Sequence, residues 1–239
     1  MIKMNFLKNT IVFALVYLPP LVVFWKLWMN RGKSKILLLV LSILYLVLSL
    51  FTQNLLPFIL VLICIRYMKN DTELYKDYYR YNFSIRNFNF IKALMYSIIS
   101  YAITIIVSAI VLNMFSKYQV PIKDQEIVSY MTKLPLKRFI YMIPVTVIFA
   151  PILEEFIFRW LLFERIFKDR IGIYLAAVIS SAIFSMVHFN IKSFVAILWI
   201  GLFNCFLIHK KGYWYAVTNH ALFNSVSTFV LLFKKLGII

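Results

Sequence analysis

Long, nearly uncharged apolar runs restrict this chain to helices in a membrane. They occupy about residues 10–29, 36–67, 93–115, 139–163, 171–190, 192–209 and 214–233, and most of them reach the roughly 18 residues that cross a hydrocarbon core. Lipid offers no partner to an exposed backbone N–H or C=O, so such segments cross it as helices whose hydrogen bonds close internally. A hydrophobic share of 63% and a mean hydropathy of +0.84 also exceed what a soluble domain of this size buries. The expected fold is all-α, a polytopic transmembrane helical bundle of seven or eight spans, some kinked or broken, forming one integral membrane domain over residues 1–239. The expected location is the cell membrane, with multiple crossings.

The span count turns on 36–67, which is too long for one crossing. Thr52, Gln53, Asn54 and Pro57 interrupt it, making either one long kinked helix or two short segments. Pro19 and Pro20 predict a kink in the first span. That span is expected to be retained, because no small-residue cleavage site follows it before Lys26.

A net charge of +17 raises nucleic acid as a partner, but the basic residues are scattered through the connecting loops with no basic, aromatic-interleaved patch. The lipid bilayer is the expected partner for that charge, and no nucleic acid is. Lys and Arg are divided too evenly between the two sides to fix an orientation. The loops 68–92 and 116–138 read as solvated connectors. Cys64 and Cys205 stand singly in apolar stretches, which suits packing and not a disulfide or a metal.

Nine acidic residues are present, and seven of them fall in loops or at loop edges by this division. Glu154 and Glu155 do not: they sit side by side within APILEEFIFRWLLF. A charge at mid-bilayer costs on the order of 2.5–3.5 kcal/mol, so two adjacent carboxylates there need a partner or a use. Arg159 is four residues beyond Glu155, on the same helical face, where a carboxylate–guanidinium pair forms. Glu154 is turned about 100° away from that pair and is free to face a polar cavity.

Two further groups break the apolar pattern. His188 ends the fifth run in FSMVHF, with Phe184 one turn before it. His220 and Asn224 in NHALFN are four apart and share a face of the last run. His209, beside Lys210 and Lys211, reads as an interfacial residue without chemistry. Asn204 and Asn219 read as interhelical hydrogen bonders, and Ser180, Ser181 and Ser185 as small residues at helix contacts.

A carboxylate and a histidine sharing one water make a general base, and the proton taken is then available to a leaving amine. A histidine and an asparagine side by side suit an oxyanion hole. The same residues allow a second chemistry, since Glu154, His188 and His220 are a known type of catalytic zinc set. Metal-free hydrolysis is favoured, with no cofactor, because the donors come from three separate runs and not from one HExxH helix; zinc is the alternative. Depth poses a difficulty. In straight spans Glu154 lies on the order of 22 Å from the Phe139 end, whereas His188 lies near that same face. A helix break at Pro151 is expected to remove the mismatch.

EEFIFR at 154–159, FSMVH at 184–188 and HALFN at 220–224 resemble, in composition and order, the EExxxR, FxxxH and HxxxN motifs of the CPBP family, the type II CAAX prenyl endopeptidases and bacteriocin-processing or Abi proteins. The resemblance covers roughly residues 140–230, the expected catalytic core. It departs at Trp160, where many relatives carry glycine. It implies an intramembrane endopeptidase, glutamate-type or metalloprotease, in which Glu154 and His188 activate water, His220 and Asn224 hold the oxyanion, and Glu155 and Arg159 support them. The implied substrate is a membrane-associated peptide or protein. The Lys-, Ile-, Asn- and Phe-rich composition points to a low-GC bacterium, and so to peptide maturation or bacteriocin processing. The alternative from another class is a non-catalytic bacteriocin-immunity or membrane interaction protein. The oligomeric state is not readable from sequence.

Overall fold

The computed structural model describes residues 2–52, 54–69, 83, 85, 88–120 and 123–238. Among these, nine helices and no strands are found. Helix α1 covers Ile2–Val12, a π turn at Phe13–Tyr17 and Leu18–Met29; α2 is Lys35–Ser49, α3 Leu55–Lys69, α4 Phe90–Lys117 and α5 Glu126–Lys133. Helix α6 runs unbroken over Leu136–Ile171, followed by α7 at Ile173–Val187, α8 at Ile191–Lys210 and α9 at Tyr213–Lys235. Five helices are long and apolar enough to cross a membrane, and α2 and α7 are shorter apolar helices. The protein is thus a helical membrane bundle, and the long 36–67 run is two helices, not one.

Local chemistry sets the helix ends. The side chains of Ser34, Asn89 and Asn190 accept from the backbone N–H of Leu37, Lys92 and Ser193, satisfying donors that a first turn leaves open. Gly172 and Gly212 close the α6–α7 and α8–α9 corners at φ values of 80° and 109°, which a side chain would resist.

Prolines act differently from expectation. Neither Pro19-Pro20 nor Pro151 ends its helix. In each case a π turn lies just upstream, with Leu18 N–H donating to Phe13 O and Ala150 N–H to Val145 O, five residues back. Widening the turn by one residue absorbs the missing N–H and the ring, so the helix continues where a break at Pro151 was expected.

Helix α6 is the centre of the bundle. From Pro151 to Trp160 every residue except Glu154 is buried, the pattern of a helix surrounded on all sides. Leu153, Phe156, Ile157 and Phe158 pack into the main core with side chains of α1, α3, α7, α8 and α9. Trp160 is buried in the same core and stacks on Phe156 at 4.6 Å.

Two loop expectations change. Within 116–138, α5 is a short amphipathic helix that buries Met131, because its apolar residues fall on one face. Most of 68–92 lies outside the described residues. Phe83 of that loop is buried, and its carbonyl accepts from Trp214 Nε1 at 2.7 Å, which is core structure and not a solvated connector.

Candidate active site

Buried polar groups of α6, α8 and α9 form a connected network centred on Glu155. Its Oε1 accepts from Asn204 Nδ2 at 2.9 Å and from His220 Nδ1 at 2.8 Å, and Asn219 Nδ2 donates to Asn204 Oδ1 at 2.6 Å. Its Oε2 faces Arg159 Nε at 3.3 Å, an ion pair one turn apart with both side chains fully buried. A carboxylate held this way links α6 to α8 and α9 and fixes the ring plane of His220. The asparagines are interhelical bonders as expected, but their bonds extend the site's own support.

Arg159 sits in a tight slot. Its guanidinium stacks 4.0 Å from the Phe184 ring. A Cβ on Gly201 would fall 3.0 Å from Arg159 Nη2 and 2.8 Å from Ser181 Cβ, so α8 approaches α7 closely only because residue 201 has no side chain. The Phe184 ring also packs edge-on to the His188 and His220 rings, with centroids at 4.8 and 5.6 Å. The phenylalanine of FxxxH therefore spaces the cation from both imidazoles.

Glu154, one residue round the helix, is partly exposed and lines a cavity of about 960 Å³, together with His188, His220 and Asn224. Its Oε2 lies 3.6 Å from His220 Nε2. His188 Nδ1 lies 2.8 Å from Phe184 O. A carbonyl only accepts, so Nδ1 carries a proton, and in the neutral ring Nε2 is left as the acceptor. Asn224 Nδ2 donates to Thr146 O at 2.8 Å.

The depth mismatch expected of straight spans does not arise, and no helix break is needed to cure it. About 22 Å of α-helix separates Ile173 from His188 at 1.5 Å per residue, and Glu154 lies at a similar distance, on the order of 20–25 Å, from the Ile171 end of α6, where Glu155–Phe167 is wound as a π-helix of smaller rise. The short α7 (Ile173–Val187) thus returns His188 to the level of Glu154 and stops there, well short of the end where α6 begins.

Sequence reasoning missed parts of this cavity. Tyr17 and Asn54 reach it from the first half of the chain, and Ile127, Val128 and Met131 of α5 form a side of it. Nothing in the apolar pattern of α1 distinguishes Tyr17. Asp124 pairs with Lys192 at 2.8 Å and Lys8 with Glu126 at 2.5 Å, fastening the α5 segment across α8 and α1.

Two acid–base expectations need correction. Glu164 is not at a loop edge: it is 1% exposed within α6. It pairs with Lys168 and receives His209 Nδ1 at 2.8 Å. His209 therefore folds back onto a buried carboxylate and does not simply reach out to head groups, because a carboxylate inside the bundle draws any cation or donor within range.

The imidazole orientations suit either proposed chemistry, since a carbonyl or carboxylate on Nδ1 is what orients a metal-binding histidine as well as a general base. The donor positions are more restrictive. Among the described residues no three His, Cys, Asp or Glu side chains converge closely enough to hold a metal ion.

Residues 136–226 match the family model described as Type II CAAX prenyl endopeptidase Rce1-like. A curated protein of Bacillus subtilis (strain 168), YdiL, named as a candidate membrane peptidase, is 34% identical over 94 residues, 39% of this chain and 37% of that relative. The chain thus aligns with little more than a third of the curated relative it matches. No solved structure matches. The matched segment carries all three polar motifs, and with five membrane-length helices it marks a multi-pass membrane protein.

Proposed function

We propose that this chain, whose residues 136–226 carry the signature of the Rce1-like CAAX endopeptidases, is an intramembrane endopeptidase that cleaves its substrate with water activated by Glu154 and His188. The supporting observation is that Glu154, His188, His220 and Asn224 line one cavity while Glu155, buried beside it, holds His220 and pairs with Arg159. A water between Glu154 and the free Nε2 of His188 gives up its proton to the carboxylate as its oxygen adds to the peptide carbonyl. His220, held at Nδ1 by Glu155, turns Nε2 towards Glu154 and the cavity. Together with the Asn224 amide it meets the developing oxyanion. Glu154 then returns the proton to the leaving amine, and the C–N bond breaks.

Catalysis in this scheme is glutamate-type and uses no metal. The substrate is a membrane-associated peptide or protein, and the composition of the chain favours bacterial peptide maturation or bacteriocin processing as its role. The test is Glu154→Gln, His188→Ala and His220→Ala in liposomes at matched folded protein, with cleavage of a membrane-anchored peptide as readout. Each is expected to lower turnover by at least about 100-fold. Undiminished cleavage in all three overturns the site. Full activity after chelation supports the metal-free form; loss restored by added zinc overturns it.

A further inference from the structure

The hydrogen bond that holds Asn224 has an origin in the backbone of α6. In the π turn at Val145–Phe149, Ala150 N–H is committed to Val145 O. In that register the next carbonyl, Thr146 O, is due the N–H of residue 151. Residue 151 is proline and has none. The α-register donor for Thr146 O would be Ala150 N–H, which is already used. A carbonyl left in this way on the half-buried Thr146 needs another donor, and Asn224 Nδ2 supplies it from α9 at 2.8 Å.

This bond also settles which way the amide faces. A carbonyl accepts only from the NH2 group, so Asn224 has its nitrogen towards Thr146 and cannot flip without losing the bond. The NH2 group has a second N–H, which is left for the cavity. One turn along, Thr146 Oγ1 lies 3.5 Å from Thr228 Oγ1, and Thr228 is four residues beyond Asn224 on the same face of α9. The two contacts pin α9 to the π turn at the site.

We propose that Pro151 is a positioning residue for the hydrolysis: by withholding one backbone N–H it reserves Thr146 O for Asn224 and so aims that amide at the oxyanion. This inference rests on the peptidase reading above. Pro151→Ala restores an N–H that competes for Thr146 O. Because an oxyanion contact is made only in the transition state, kcat is expected to fall about tenfold with KM unchanged.

Two comparisons separate this from a merely structural proline. In an Asn224→Ala background, Pro151→Ala is expected to cost nothing further, since the group it positions is gone. Lactic acid incorporated at position 151 has the alanine side chain but an ester oxygen in place of the N–H, and it is expected to keep wild-type kcat. If Pro151→Ala slows both backgrounds equally, or the lactic acid protein is as slow as the alanine one, the inference is overturned. The lactic acid protein decides the matter even if Pro151→Ala does not fold. If Glu154→Gln and Asn224→Ala both cleave normally, it is the peptidase reading that fails; if both are impaired and only the position 151 comparisons go wrong, the fault lies in this inference alone.

Discussion

Helix α6 carries two buried carboxylates, each with a histidine and a cation, and only one of the two sets borders the cavity. Glu155 receives His220 Nδ1 at 2.8 Å and pairs with Arg159 four residues on; Glu164 receives His209 Nδ1 at 2.8 Å and pairs with Lys168 four residues on. Burial separates them. The Arg159 and His220 side chains are 0% and 6% exposed, whereas His209 is 23% exposed. The far side of His220 meets Glu154 and the cavity, while His209 ends α8 beside Lys210 and Lys211. A His–carboxylate–cation set is by itself a clamp between helices. It becomes a site only where the imidazole's second nitrogen is presented to a reactive partner.

Removing the carboxylate charge should separate the two sets most sharply. Glu155→Gln leaves Arg159 buried and unpaired and releases His220, so a stability loss of about 3–5 kcal/mol is expected. Turnover per folded molecule should fall about 10- to 100-fold, as for a lost supporting partner. Glu164→Gln should cost about 1–3 kcal/mol and leave turnover per folded molecule unchanged. Thermal unfolding in detergent with peptide turnover on the folded fraction measures both. Equal loss of turnover in the two variants would erase the distinction.

The next effect acts on one set alone. Gly201→Ala puts a methyl within 3.0 Å of Arg159 Nη2 and 2.8 Å of Ser181 Cβ, and overpacking of this kind costs about 1–3 kcal/mol. Turnover should fall along with stability, because the displaced guanidinium supports Glu155. An unchanged unfolding temperature would show that α7 and α8 separate freely at this point.

Much of this contrast is legible in the sequence, and the reason is energetic. Glu154, Glu155, Arg159, His220 and Asn224 stand out because apolar surroundings make a polar residue conspicuous. Glu164 is just as buried but is followed by Arg165, Lys168 and Asp169, so the end of the apolar run hides it among residues that look solvated. His209 is masked in the same way by its lysines. The level of His188 could not be read from run length, since it depends on where α7 stops, and the prolines misled because a π turn leaves no signature in residue type. The α5 wall and Tyr17 belong to the chain outside residues 136–226, where no motif marks them.

His209→Asn should have the smallest effect and bears most directly on what makes a histidine catalytic. Asparagine keeps an N–H for Glu164, and Lys168 stays beside that carboxylate, so the loss is one partly exposed contact worth about 0.5–1.5 kcal/mol. Turnover per folded molecule should stay within about twofold of wild type, since His209 is not among the residues that line the cavity. His220→Asn keeps a similar donor for Glu155 but loses the nitrogen that faces Glu154 at 3.6 Å, and it should abolish turnover. Should His209→Asn be as inactive as His220→Asn, the far end of α6 would have to take part in the reaction, and burial with a carboxylate partner would then suffice to make a histidine functional in this bundle.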